Sequence, residues 1–401
     1  MKIGLYTTGV PATVGGGFVL RDDVARAAIN LRGRHQFELV SIPPEDSPPP
    51  PPAPPPQPRK SWLRTRWDWL VMTPEPPPPP APPLPPSRTA TQRFRDEVVA
   101  RKFDLLWFNN FDPIHVGVPY VINIFDLQHR EQPFFPEVSN DGQFERRESV
   151  YADATRRAAF VTVGSPEAKA QVCHFYGVPA ARVRVLPFPT PQKAIDIATG
   201  KLAVAASADV RTKYGIRNDF LFYPAQLWSH KNHVNLFHAL KLLKDRQRTI
   251  SLVLTGADHG NRAHLEETAR TLGLEDQIHF CGFVPYEDIL EFYRQARALS
   301  YISLFGPENL PPLEAMALEC PVIMSDMPGV RALHGAGPVL VDPLNPKSVA
   351  DGIAFVLDNP EQMRERIRAG KDIAIRNSVG AYLEFFQSIL DEFEPYSRCW
   401  P

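Results

Sequence analysis

The stretch SLFGPENLPPLEAMALECPVIM, Ser303–Met324, carries the reading of this chain. Leading into it, Ala298, Leu299, Tyr301, Ile302 and Leu304 make an apolar run of the length of a buried strand. A glycine-led turn follows, Gly306-Pro307-Glu308-Asn309, and Pro311 and Pro312 stand where a helix tolerates proline, in its first turn. Leu313 to Leu318 carry that helix onward. A strand, a tight turn and a helix start aim unpaired backbone N–H groups and a positive dipole end at one point. A phosphate or diphosphate fits there, against Gly306, Asn309 and Leu310. Glu314 lies one turn inside, where its charge repels phosphate but suits sugar hydroxyls. The plain alternative is a helix start that caps itself in solvent.

Composition bounds what such a site serves. The 401 residues suggest two or three domains, and a 43% hydrophobic content supplies substantial cores despite 44 prolines. A net charge of −1 gives no general attraction to nucleic acid or anionic membranes. Cys173, Cys281, Cys320 and Cys399 lie far apart without CxxC spacing, and Cys281 and Cys320 read as reduced core residues. The start, MKIGLYTTG, is too short and too quickly polar for a signal peptide. No run reaches the roughly 18–20 apolar residues of a membrane helix. The expectation is a cytoplasmic protein, at most peripheral at the inner face of the cell membrane.

Along the chain, strand-like and helix-like segments alternate, which implies parallel sheets covered on both faces. The economical architecture is α/β: two Rossmann-like domains facing a central cleft. We expect a first domain over residues 1–190, a linker over 191–218, a second domain over 219–380, and a segment 381–401 whose helix packs back on the first. A proline-rich insertion, 43–88, interrupts the first domain. Residues 48–58 hold nine prolines and 74–86 hold ten, forming polyproline II or spacer rather than sheet. Between these tracts, Trp62, Trp67 and Trp69 stand among Arg59, Lys60, Arg64 and Arg66. Segment 59–72 reads as a membrane-surface contact, a ligand for partner domains, or a variable insertion packed on the first domain.

A second motif is Phe220-Leu221-Phe222-Tyr223-Pro224-Ala225-Gln226-Leu227-Trp228-Ser229-His230-Lys231-Asn232. The strand ends near Pro224 and a helix starts after Asn232. Lys231 therefore stands at a helix N-terminus, where the dipole disfavours a cation unless an anion is bound beside it. A solvated surface lysine is the bland reading. Gly15-Gly16-Gly17 makes a loop after the first strand, and Phe125-Asp126-Leu127-Gln128-His129 follows another strand end.

These motifs together resemble the family 4 retaining glycosyltransferases of GT-B fold, over nearly all of the chain except the insertion. Leu310-Pro311-Pro312-Leu313-Glu314-Ala315-Met316-Ala317 matches the close of that family's paired-glutamate motif. The resemblance implies that Glu314 accepts hydrogen bonds from the donor's ribose. The family's first glutamate falls on Gly306, a departure; either Glu308 reaches the sugar or this subgroup manages without that carboxylate. The resemblance assigns Lys231 to the diphosphate clamp, with neutral Gln226 in place of the clamp arginine and His230 as a substitute charge. The main chain at Phe283 and Val284 would meet the nucleobase, and Gly15, Gly16 and Gly17 would line the acceptor side. A family histidine before Asp126 is replaced by Phe125. Either His129 or Asp126 takes its role, or Asp126 caps the next segment and His129 is half-buried. The chain has no Asp-x-Asp sequence, so neither metal nor other cofactor is expected. The implied activity moves a sugar from a nucleoside-diphosphate sugar to a hydroxyl of a glycan or lipid-linked glycan in bacterial surface-polysaccharide synthesis. Two alternatives remain: a nucleotide-sugar epimerase of the same fold, and a non-catalytic scaffold organised by the proline tracts.

Overall fold

The computed structural model describes residues 1–7, 16–43, 89–109, 113–203 and 209–399. The insertion expected at 43–88, with its tryptophans and cations, lies outside the described residues apart from Pro43.

Short runs rich in Val, Ile, Leu and Phe, apolar on both faces, form two six-stranded sheets. The first contains β1 (Lys2–Tyr6), β2 (Gln36–Val40), β3 (Leu105–Phe108), β4 (Tyr120–Ile124), β5 (Phe160–Val163) and β6 (Val183–Val185) in the order β2-β1-β3-β4-β5-β6. The second contains β7 (Phe220–Pro224), β8 (Ser251–Thr255), β9 (Ile278–Gly282), β10 (Ala298–Tyr301), β11 (Val322–Ser325) and β12 (Val339–Val341), ordered β12-β11-β10-β7-β8-β9. All pairings are parallel. In each sheet the strand order reverses once. In the second sheet it reverses between β7 and β10, and a crevice at their carboxyl ends is where such sheets bind ligands.

The stretch 191–218 carries short helices, Gln192–Ala198 and Val210–Lys213, rather than bare linker. Thr190 ties the end of the first half to the second: its N–H donates to Asn377 O at 2.7 Å and its hydroxyl to Ala374 O at 2.8 Å. The last helix, Val379–Ser397, returns to the first half. There Phe386 stacks on Trp107 with ring centroids 3.8 Å apart, and Phe393 lies edge-on to Phe160. Arg184 pairs with Glu392 alongside.

One expected loop is partly helix. The helix Gly16–Asn30 begins inside the glycine run, so Gly16 and Gly17 are its first residues. Glycine permits helical backbone as readily as a turn, so a glycine run does not by itself mark a loop. Gly15 lies outside the described residues.

Candidate active site

The two quoted motifs follow the two strands at the reversal. The loop after β7 carries Gln226 to Asn232, and the loop after β10 carries Ser303 to Asn309. They are knitted together. Leu304 N donates to His230 O at 2.8 Å, Asn232 Nδ2 to Ile302 O at 3.2 Å, and Lys231 Nζ to the Tyr301 hydroxyl at 2.9 Å. Tyr223, from β7, donates its hydroxyl to Lys231 O at 2.7 Å. Lys231 is thus half-buried and held from both sides, a fixed cation rather than a solvated one.

The helix Leu310–Ala317 starts as expected after Asn309, which is extended and makes no side-chain cap; the Asn309 amide donates instead to Phe305 O at 3.2 Å. Pro311 and Pro312 have no N–H, so this helix start offers fewer donors than one of ordinary sequence. The backbone amides just before the prolines are those of Asn309 and Leu310. Gly306 O accepts from Gln128 Nε2 of the first half at 3.5 Å.

Glu314 is buried, with only 8% of its surface exposed. Its Oε1 accepts from the Tyr286 hydroxyl at 2.5 Å and its Oε2 from the Tyr293 hydroxyl at 3.0 Å. Burial pushes its carboxyl up to about 7, against the two phenols, which favour the charged form. The expected ribose acceptor is therefore already engaged by two tyrosines that the motif did not reveal. Neither tyrosine lies in a quoted segment; only the spacing of the helix Tyr286–Gln295, which places both on one face, hints at them.

At Asp126 and His129 the structure follows the capping alternative, with His129 buried further than expected, and His230 departs from its expected charge. His129 is fully buried within the first half, its Nε2 at 2.8 Å from Glu148 Oε1 and 3.3 Å from the Tyr176 hydroxyl, so it does not face the cleft. Asp126 accepts from Gln128 N at 3.0 Å and pairs with Arg147 at 2.8 Å, which makes it a cap and an ion-pair partner. His230 does not supply a substitute positive charge: burial pulls its ring down to about 4, so it is neutral near pH 7. Gln226 spends its carbonyl on the Trp228 indole N–H at 2.7 Å, and that indole stacks on His259 at 3.7 Å.

Glu308 turns toward the first half. A Cβ on Gly164 would lie 2.6 Å from Glu308 Cγ, so the glycine is what admits this side chain. Burial raises the Glu308 carboxyl above its ordinary range, with the Ser165 hydroxyl opposing, and Oε1 is buried without a partner. Ser165 itself caps the helix Pro166–Tyr176 through Ala168 N at 3.1 Å. Gln132 Nε2 donates to Leu304 O at 2.8 Å, completing a seam in which the first half covers the second motif. On the far side of the second sheet's reversal, Leu227, Gly256, Arg262, Phe280, Gly282 and Phe283 line a cleft of about 120 Å³. Phe283 is 65% exposed at its rim, and Val284 is buried.

Residues 209–372 match the family described as glycosyl transferases group 1. An uncharacterised glycosyltransferase of Methanocaldococcus jannaschii is 24% identical over 283 residues, 66% of this chain and 71% of that protein. An O-antigen chain mannosyltransferase of Salmonella typhimurium is 30% identical over 134 residues, 33% of this chain and 37% of its own length. Among solved structures, HepE of Anabaena, crystallised in complex with UDP, superposes with a TM-score of 0.64 at 17% identity, covering 98% of this chain and 99% of that one. The fold is that of the GT-B glycosyltransferases, two parallel α/β halves across a cleft.

Proposed function

Because residues 209–372 match the family described as glycosyl transferases group 1, we propose that the chain is a retaining glycosyltransferase that works without a metal. It takes a nucleoside-diphosphate sugar as donor and passes the sugar to a hydroxyl of a glycan or lipid-linked glycan. The observation that carries this reading is the pair of loops after β7 and β10, tied to each other by hydrogen bonds, with Lys231 held in the first and the helix start at Leu310 closing the second. A diphosphate between them meets a fixed cation and a helix start, and stabilising the departing diphosphate is then the main catalytic contribution. The acceptor oxygen bonds to the anomeric carbon on the face that the diphosphate leaves. The acceptor's proton passes to a diphosphate oxygen, which departs with the bonding electrons. The lack of any Asp-x-Asp sequence supports a site whose charge partners are Lys231 and the helix dipole. The donor class is supported by HepE of Anabaena, which has been crystallised with UDP-glucose. A role in bacterial surface polysaccharide is supported by the O-antigen mannosyltransferase and by a 30% identical stretch of a putative glycosyltransferase, EpsD, of Bacillus subtilis.

The test is calorimetry of the purified chain against UDP-, GDP- and dTDP-sugars in the presence of a chelator, followed by analysis of the products. Binding of at least one donor with the chelator present, and slow release of nucleoside diphosphate and free sugar without acceptor, is expected. Recovery of an epimerised nucleotide sugar, or binding of none of the panel, overturns the proposal.

A further inference from the structure

His230 meets the other half of the molecule through a single carboxylate. Glu137, on the short helix Pro136–Ser139 of the first half, accepts the His230 backbone N–H at 2.9 Å on Oε1, and the same oxygen contacts the ring at Nδ1. The ring is clamped flat. Phe305, from the loop after β10, stacks on it at 3.9 Å and 7° between planes, and Phe135 lies edge-on to both. Both partners are nearly closed to solvent, with side-chain exposures of 9% for His230 and 4% for Glu137.

The protons can be assigned from chemistry. Burial works against the charge on Glu137, but the ring and amide hydrogen bonds from His230 outweigh it and hold the carboxyl below its ordinary range. An ionised carboxylate only accepts, so Nδ1 must carry the hydrogen. The ring is neutral, so Nε2 keeps its lone pair. Among the described residues Nε2 has no hydrogen-bond partner. The other charges felt by the ring are Lys231, on its own turn, and Asp126 from the first half, which Arg147 already pairs.

We infer that His230 contacts substrate: Glu137, reaching across from the first half, locks it as the Nδ1–H tautomer, and Nε2 accepts a hydrogen bond from a sugar hydroxyl in the cleft. A carboxylate that fixes an imidazole by one nitrogen and leaves the other for a hydroxyl is the arrangement by which a histidine is aimed. Phosphate oxygens have no proton to give an unprotonated Nε2, whereas every sugar hydroxyl has one, so the pair selects the sugar and Lys231 the diphosphate. Because the carboxylate and the imidazole come from opposite halves, the pair exists only while those halves are in contact. Glu137 is a positioning residue. The inference rests on the proposed function, since it takes a nucleotide-sugar substrate for granted.

The test has a spectroscopic arm and a kinetic arm. In the wild-type chain at pH 7 with bound UDP, the ¹⁵N imidazole shifts of His230 should report a neutral ring protonated at Nδ1, and Glu137→Gln should abolish that preference. An imidazolium, or a ring protonated at Nε2, overturns the inference whatever the activity. In the kinetic arm, UDP-glucose and GDP-mannose are the probes, with release of nucleoside diphosphate to water as the readout. His230→Ala should lose roughly threefold to tenfold in kcat/KM, the value of one neutral hydrogen bond, and His230→Gln should restore part of it. A higher Kd for the intact nucleotide sugar with an unchanged Kd for the free nucleotide assigns the hydroxyl to the donor. Unchanged Kd values with reduced turnover assign it to the acceptor position. A His230→Ala chain that matches wild type in both overturns the inference while leaving the transferase intact. A wild-type chain that binds neither probe nor any other donor of the panel overturns the transferase instead.

Discussion

Glu314 is a carboxyl group poised between two protonation states. In the unfolded chain it titrates at its ordinary value of 4.5, and in the fold at about 7. A raised carboxyl means that the charged form is the less stable one in the native state. The native state therefore suffers no penalty below pH 4.5, loses stability between there and 7, and carries the full penalty above. A gap of about 2.5 units at ~1.36 kcal/mol each amounts to something on the order of 3 kcal/mol. Glu314→Gln keeps one acceptor and gains a donor for the two phenols, so we expect it to unfold at higher urea than wild type at pH 8 and at equal urea at pH 4. Equal midpoints at both pH values would show that the phenols already neutralise the burial cost. Lys231 provides the complementary test. A donor at 100 times its Kd adds about 2.7 kcal/mol to wild type, and in Lys231→Ala most of that gain should vanish from the thermal shift. At this scale the sequence singles out positions better than it shows what they touch. Glu314 and Lys231 are legible because their motifs are local. Tyr286, Tyr293 and Tyr301 are not, because each reaches its partner across tens of residues.

Among elements, the helix Leu310–Ala317 depends on a neighbour at its back. The helix Pro360–Arg376 packs against it, and Gly370 is what lets the two approach: a Cβ there would lie 2.9 Å from both Cγ and Sδ of Met316. Gly370→Ala should cost about 1–3 kcal/mol of stability by overpacking and weaken donor binding by tilting the helix start. Chemical denaturation and calorimetry on the same sample check both effects. Alternating strands and helices, and the strand–turn–helix of the opening motif, can be read directly from apolar periodicity and turn residues. What escapes is where glycine runs stop being loops, as at Gly16, and how neighbouring strands are ordered. The reversal between β7 and β10, which brings the two motifs into one crevice, is set by side chains packing across the sheet and not by any local signal. The seam escapes for the same reason: Glu137 and His230 are 93 positions apart, and Glu137 lies in no motif.

Across the whole molecule, the two halves share one piece of chain. The apolar face of Val379–Ser397 covers Trp107, Phe37 and Phe160, which would otherwise leave the first sheet open to water. Phe386 is fully buried in that contact, so Phe386→Ala should remove about 3–5 kcal/mol. If the halves unfold as one unit, a single transition simply moves to lower denaturant. If the first half loosens alone, a separate early phase appears, most clearly in the fluorescence of Trp107. The final helix was legible as an amphipathic segment, and its destination followed from having nowhere else to bury that face.

The return of that helix also dictates a timetable. A ribosome makes the first sheet hundreds of residues before it makes Phe386, so the nascent first half must wait with its Trp107 face bare until that helix has emerged. Fragments cut before Val379 should thus be recovered as aggregates or chaperone-bound material, while the same fragment supplied with a synthetic peptide spanning the final helix should regain solubility. A helix made late thus closes a core made early.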